Sequence, residues 1–184
     1  MIGEEFAAVL AVAQDGGEAA FSVLWRDVNP ALLRYLRVIA PDAAEDVASE
    51  TWVQVVRRLP DFRGDEGAWR GWLFTIARRR AIDEARRRSR HPVASLAEVT
   101  GAREPGTADA AELAMEKLGT AAAVAAVASL PPLQAEVILL RVLAGLDTDS
   151  VARIVGRSPG AVRVAAHRGL RRLAQILSAT GVTL

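Results

Sequence analysis

The side chains with chemistry to offer in this chain are arginines and aromatic rings, and they gather in one stretch. Residues 62–90, FRGDEGAWRGWLFTIARRRAIDEARRRSR, open with a glycine-punctuated loop holding Phe62, Arg63, Gly64 and Gly67. A helical pattern with Trp69, Trp72 and Phe74 follows, ending in Arg78-Arg79-Arg80 and Arg86-Arg87-Arg88. Rings stack on unpaired bases and guanidiniums hold phosphates, each stacked base contributing roughly 1–3 kcal/mol. A plainer reading fits the same residues. Leu73, Ile76 and Ala77 recur at helical spacing, so some rings belong to a core, and Arg79, Asp83 and Arg87 lie four apart, as in a solvated ion-pair face.

A second cluster sits near the C-terminus. A short helical pattern from Asp147 ends at Gly156, Ser158 is placed to cap the next helix, and Pro159 takes that helix's first position. Ala152, Ile154, Val155, Val162, Ala166 and Leu170 are the expected shared core of two short helices. This is the helix-turn-helix pattern, with Arg163, His167, Arg168 and Arg171 turned outward on the second helix. A helical hairpin needs the glycine and the apolar seam, but not that density of arginine. Catalytic chemistry has little to work with: His91 and His167 are the only histidines, and no phosphate loop, GxSxG or HExxH occurs. No enzyme activity, cofactor or metal is expected.

Helices must position these groups. Periodicity places one over Glu4–Gln14, broken at Asp15-Gly16-Gly17, and another over Glu18–Arg37, with a kink or restart expected at Asn29-Pro30. A third starts at Pro41-Asp42 and runs to Leu59, with Val47, Thr51, Val55 and Leu59 facing inward and Asp42, Glu45, Asp46 and Glu50 on an acidic face. That face either compensates the helix dipole or docks a basic partner. His91–Ala110, with its prolines, glycines and few large apolar residues, reads as a flexible linker. Helical patterns resume over Glu112–Ala128 and Leu133–Leu143, the latter capped by Gly145. The expected fold is all-α: two small helical domains, 1–91 and 112–184, joined by a flexible linker at 92–111, the second domain a helix-turn-helix.

Composition agrees. The net charge of +1 conceals an alternation: residues 57–90 carry eleven arginines against five acids, and residues 141–172 carry seven against two. Residues 1–56 and 91–120 are acidic, so two basic blocks flank an acidic connector, as two contacts on one polyanion would require. With no cysteine, disulfides and thiolate sites are excluded, which fits a reducing cytosol. No signal peptide is evident, and no uncharged apolar run approaches the roughly 20 residues needed to cross a bilayer.

The order of these parts resembles the extracytoplasmic-function (ECF) sigma factors of bacterial RNA polymerase. Asp42-Ala-Ala-Glu45-Asp46-Val-Ala-Ser-Glu50-Thr-Trp52 is similar to the family's acidic segment that docks on the β′ clamp helices. Phe62-Arg63-Gly64 through Trp69, Trp72, Leu73, Ile76 and Arg78 is similar to its signature beside the minus-ten element. Leu130-Pro131-Pro132 through Arg141, Gly156, Ser158, Val162 and His167-Arg168 is similar to its minus-thirty-five domain. Two departures stand out: one extra residue between Phe62 and Trp69, and Arg79 where the family commonly places Asn.

The resemblance implies core-polymerase contacts at Asp42, Glu45, Asp46, Glu50 and Trp52. It implies minus-ten contacts at Phe62, Arg63, Trp69, Trp72, Arg79, Arg80, Arg86 and Arg87. Minus-thirty-five contacts fall on Arg141, Ser158, Arg163, Val164, His167, Arg168 and Arg171. The implied partners are core RNA polymerase (β′ clamp helices and β flap), promoter DNA and an anti-sigma factor, in the cytoplasm and without membrane insertion. Two rival readings are a stand-alone helix-turn-helix regulator, which binds duplex tightly without polymerase, and a helical protein-binding adaptor, which shows no salt-dependent DNA affinity.

Overall fold

The computed structural model describes residues 1–90 and 123–179, and among these every regular element is helical. Seven α-helices are α1 (Phe6–Gln14), α2 (Glu18–Ile39), α3 (Ala44–Arg58), α4 (Glu66–Arg90), α5 (Pro132–Val142), α6 (Thr148–Val155) and α7 (Pro159–Ala179). Residues 123–128 are also helical. The expected linker at 92–111 and the start of the helix expected from Glu112 lie outside the described residues.

The first four helices pack around Leu24, Val28, Leu32, Tyr35, Val47, Val55, Trp69, Leu73 and Phe74, all essentially without solvent exposure. Thr51 also faces inward as expected, its hydroxyl donating to the Val47 carbonyl at 2.7 Å. The break expected at Asn29-Pro30 does not occur: α2 runs through Pro30. Proline removes one hydrogen bond from a helix interior. Here Pro30 lies on the exposed face, while Val28, Ala31 and Leu32 beside it are buried and hold the helix on both sides.

In the second half, α5, α6 and α7 enclose Val137, Ile138, Leu140, Val151, Ile154, Val162 and Ala165. The sequence reading placed Leu170 in this core, but its side chain is exposed. Gly169 takes the inward position instead. A Cβ there would stand 2.7 Å from Ile138 Cδ1 and 3.2 Å from Gln134 Cβ, so α7 approaches α5 more closely than a leucine permits. Gly169→Val is therefore expected to destabilise the fold by about 1–3 kcal/mol through overpacking. Gly169→Ala should cost much less, because gained helix propensity offsets part of the clash. Denaturant unfolding of the two variants checks this.

The halves are in contact, and one apolar core runs through both. Three features join them. Glu136 of α5 accepts hydrogen bonds from Tyr35 Oη (3.0 Å) and Arg78 Nε (2.7 Å). Buried Arg70 donates to the Ala144 carbonyl at 3.5 Å. Leu146 rests on α4, where a Cβ on Gly71 would lie 3.8 Å from its Cδ2. Arg70 is itself held by Asp27 at 2.5 Å and Glu66 at 3.8 Å, and Glu66 also accepts the backbone N–H groups of Ile2 and Gly3.

Candidate nucleic-acid and polymerase interfaces

The loop before α4 is tied down from several sides. Gln14 Nε2 donates to the carbonyls of Leu59 (2.9 Å) and Phe62 (2.8 Å), and Arg63 Nη1 donates to those of Pro60 and Phe62, both at 2.7 Å. Gly64 has φ +154°, and a Cβ there would meet Ala68 Cβ at 2.7 Å, so glycine is needed for the tight turn. Asp65 then caps α4, its Oδ1 accepting from Ala68 N at 2.7 Å.

This loop seats three rings against one another. The Phe62 and Trp72 centroids are 5.1 Å apart at 32°, and Trp69 lies 5.6 Å from each of them. Trp69 is wholly buried and Phe62 nearly so, while Trp72 is half-buried. The expectation that Trp69 and Phe62 present faces to bases is thus corrected for this conformation. Aromatic area this large is drawn into the core, and the exposed part of the cluster is Trp72 with the loop backbone.

Along α4 the arginines differ in availability. Arg79 is exposed and makes no ion pair among the described residues. Arg80 bonds Gln54 at 3.1 Å and faces Glu50 at 3.6 Å. Arg87 and Arg88 both reach Glu84 at 2.8 Å, and their hydrogen bonds hold the Glu84 carboxyl below its ordinary range. The ion-pair face expected through Asp83 is therefore centred on Glu84, with Asp83 only 4.0 Å from Arg86. Such exposed pairs contribute tenths of a kcal/mol each and leave the guanidiniums ready to exchange for phosphate.

The acidic face of α3 is partly neutralised within the chain. Glu45 pairs with Arg37 (3.4 Å), Glu50 with Arg80 (3.6 Å) and Asp42 with Arg88 (3.7 Å), while Asp46 is exposed and makes no ion pair among the described residues. Trp52, expected as a contact, is almost buried. Its Nε1 donates to Asn29 Oδ1 at 2.9 Å, and its ring supports Phe21 (5.9 Å) and Trp25 (6.5 Å). Trp25, with Val23, Val53 and Val56, is what reaches solvent.

In the second half, α6 is capped at its start by Asp147, whose Oδ1 accepts from Ser150 N at 2.6 Å, and at its end by Gly156 with φ 67°. Ser158 Oγ then caps α7 by accepting from Ala161 N at 3.2 Å. Arg163, Val164, His167, Arg168 and Arg171 are all exposed, and among the described residues none of the four basic ones is paired. Arg141 differs: its Nη1 donates to the Leu146 carbonyl at 2.7 Å and braces the turn before α6.

Residues 24–91 match the family model for Sigma-70 region 2, and residues 120–173 match that for Sigma-70, region 4. The chain is 32% identical over 187 residues to the ECF RNA polymerase sigma factor SigD of Mycobacterium tuberculosis, covering 98% of this chain and 88% of that protein. The chain belongs to the ECF sigma factor family. This sigma factor is also 32% identical over 167 residues to the ECF RNA polymerase sigma factor BldN of Streptomyces coelicolor, over 90% of its own length and 63% of BldN's. Among solved structures, the fold is similar to that of CnrH in complex with the cytosolic domain of CnrY, with TM-score 0.63, 23% identity and coverage of 96% of this chain and 99% of that one. A second structure, the sigma factor RpoE in complex with the anti-sigma factor NepR from Bartonella quintana, gives TM-score 0.61 at 23% identity.

Sigma factors are transcription initiation factors rather than enzymes. Among the described residues of this one, no group of three or more His, Asp or Glu could hold a metal, and no helix is long and apolar enough to cross a membrane.

The sequence reading of this sigma factor missed Tyr35, Arg70, Glu136 and Gln14. Glu136 carried a signal, being the only carboxylate within the apolar run Pro132–Val142. The Asp147 cap yields a pH test. The backbone hydrogen bond from Ser150 lowers its pKa, so its contribution is present above the ordinary carboxylate range, about pH 4, and is lost as pH falls through the depressed value. Asp147→Asn should keep the cap and remove this part of the pH dependence, whereas Asp147→Ala should lower the unfolding midpoint at neutral pH. Thermal unfolding at pH 3 to 7 checks both.

Proposed function

We propose that residues 1–91 bind core polymerase and the minus-ten element, and that residues 112–184 bind the minus-thirty-five element. Arg163, His167, Arg168 and Arg171, exposed and without an ion pair among the described residues, on a capped helix following a tight turn carry this reading. A recognition helix needs exposed donors not already satisfied by its own chain. Arg163 and Arg168 supply base-edge and phosphate contacts, Val164 offers an apolar surface to thymine methyls, and Ser158 and Arg171 flank the phosphates.

In the first half, Trp72, Arg63 and Arg79 meet the base extruded as duplex opens, above a floor made by Phe62 and Trp69. Unstacking costs a few kcal/mol, which ring stacking and phosphate contacts offset. Arg80, Arg86 and Arg87 hold the backbone upstream. Asp42, Glu45, Asp46 and Glu50 dock the β′ clamp helices, with Trp25, Val53 and Val56 beside them as the apolar part of that surface and Trp52 as its support. The second half meets the β flap. The same acidic and aromatic surface suits an anti-sigma factor, the class of partner present in the RpoE–NepR co-crystal structure. The chain would work in the cytoplasm, where polymerase and promoter are.

The test is to add the purified protein to core polymerase and measure binding and transcription from genomic fragments. New, specific start sites support the reading. Tight duplex binding by the protein alone, with none to core, would replace it with a stand-alone regulator.

A further inference from the structure

Gln14 is the last residue of α1 and belongs to none of the surfaces assigned above. Its amide nitrogen donates to the Leu59 carbonyl at 2.9 Å and to the Phe62 carbonyl at 2.8 Å. Both partners are carbonyl oxygens, so the NH2 end of the amide must face them, and its two hydrogens can serve both. Leu59 and Phe62 are the two ends of the short turn through Pro60 and Asp61 that joins α3 to the loop before α4. The helix that carries Gln14 is itself seated by Phe6, Leu10 and Ala13, all buried, and it touches that turn.

Neither carbonyl depends on Gln14 for a partner. Leu59 also accepts from Phe62 N at 3.1 Å, and Phe62 also accepts from Arg63 Nη1 at 2.7 Å. Loss of Gln14 therefore strands no backbone oxygen, which is the usual source of a large stability cost. What it removes is direction. An open groove lined by Ala13, Phe21, Val56, Leu59 and Pro60 runs past the turn beside Gln14. Packing on that side is incomplete, so the two hydrogen bonds hold the turn where side chains do not.

We propose that Gln14 is a positioning residue for base capture: it ties the end of α1 to both ends of the turn and so fixes where Phe62 and Arg63 stand. This deepens the function proposed above and rests on it. Phe62 is the floor under the extruded base, its ring 5.1 Å from that of Trp72, and Arg63 follows at the next position. Groups that receive a ligand must be held within about 0.5 Å of their productive place by a supporting set of contacts. Gln14 supplies such a contact from outside the loop. By this route α1 takes part in promoter opening without meeting the base.

Gln14→Met keeps the length of the side chain and loses both donors, while Gln14→Glu keeps its shape and, ionised, only accepts. Circular dichroism establishes that each is folded. If Gln14→Met is not, Gln14→Glu decides; if neither folds, Gln14 is a structural residue and the proposal falls. In the free chain, amide exchange over residues 62–68 should quicken on the order of tenfold, as loss of one or two hydrogen bonds implies, with exchange in α2 unchanged. In the holoenzyme, abasic sites placed one at a time through a mapped minus-ten element identify the captured base. On the intact promoter, permanganate reactivity should show open complexes reduced on the order of tenfold in the folded variant, with core binding unchanged. On the promoter that is abasic at the captured position, variant and wild type should open equally, because Gln14 acts through what the loop holds. A defect of the same size on both promoters, or none on the intact one, overturns the positioning role. If wild-type holoenzyme opens no promoter, the sigma assignment fails instead, and exchange over residues 62–68 alone judges the tie, unchanged rates overturning it.

Discussion

Trp69→Ala should lower the stability of the folded chain by about 3–5 kcal/mol, the range for deleting a buried aromatic ring. For a chain of this length that moves the thermal midpoint by roughly 10 °C. The ring has no solvent exposure and packs edge-on to Phe62 and tilted against Trp72. Its loss leaves a cavity beneath the loop that Gly64 and Asp65 shape, so promoter opening falls with it. Trp72→Ala is the informative contrast: half-buried, it should cost less stability while reducing open-complex formation as strongly. Thermal unfolding by circular dichroism, paired with permanganate footprinting on a melted promoter, separates the two. A Trp69→Ala protein that unfolds at the wild-type midpoint would contradict the packing role described here.

The second large effect is on the recognition helix. Arg163→Ala and Arg168→Ala should each weaken promoter binding by the polymerase holoenzyme by roughly 1–3 kcal/mol, and together by around a hundredfold. Neither side chain makes an internal bond among the described residues, so folding should be unaffected. The two need not act alike. A base-reading arginine, once removed, relaxes sequence preference at one position, whereas a phosphate-binding one weakens all sequences and flattens the salt dependence. Binding titrations at several salt concentrations on wild-type and single-base-changed promoters assign the roles. If the double variant keeps wild-type affinity, α7 does not enter the groove.

The helices were legible because their periodicity and punctuation are local. Gly156, Ser158 and Pro159 mark the turn of the second half, and Gly145 and Asp147 mark the start of the helix before it, all within a few residues of what they shape. The inward rows of α3 follow from apolar spacing alone. What could not be read depends on partners distant in sequence. Whether Trp69 or Trp72 lies outward is decided by Phe62 and the loop that folds over it, not by either residue's neighbours. Leu170 and Gly169 exchange roles because α5 approaches α7 so closely, which only the pairing of those helices reveals. Pro30 signals a break, yet α2 persists because buried residues flank it on both sides. Tyr35 and Glu136 are 101 positions apart, and nothing local brings them together. The separate domains suggested by the composition of 92–111 are in contact through such long-range pairs.

A core shared between the halves also bears on how long the protein survives in the cell. Small domains are marginal when they stand alone, because they bury a smaller share of their surface. Separating the halves uncovers the ends of a common apolar core, and proteases act on such opened states in proportion to their population. Turnover would then follow packing: a molecule whose halves stay together is covered, and one whose halves part is cleared first. Degradation of molecules whose halves have parted would then help set the supply of idle initiation factor.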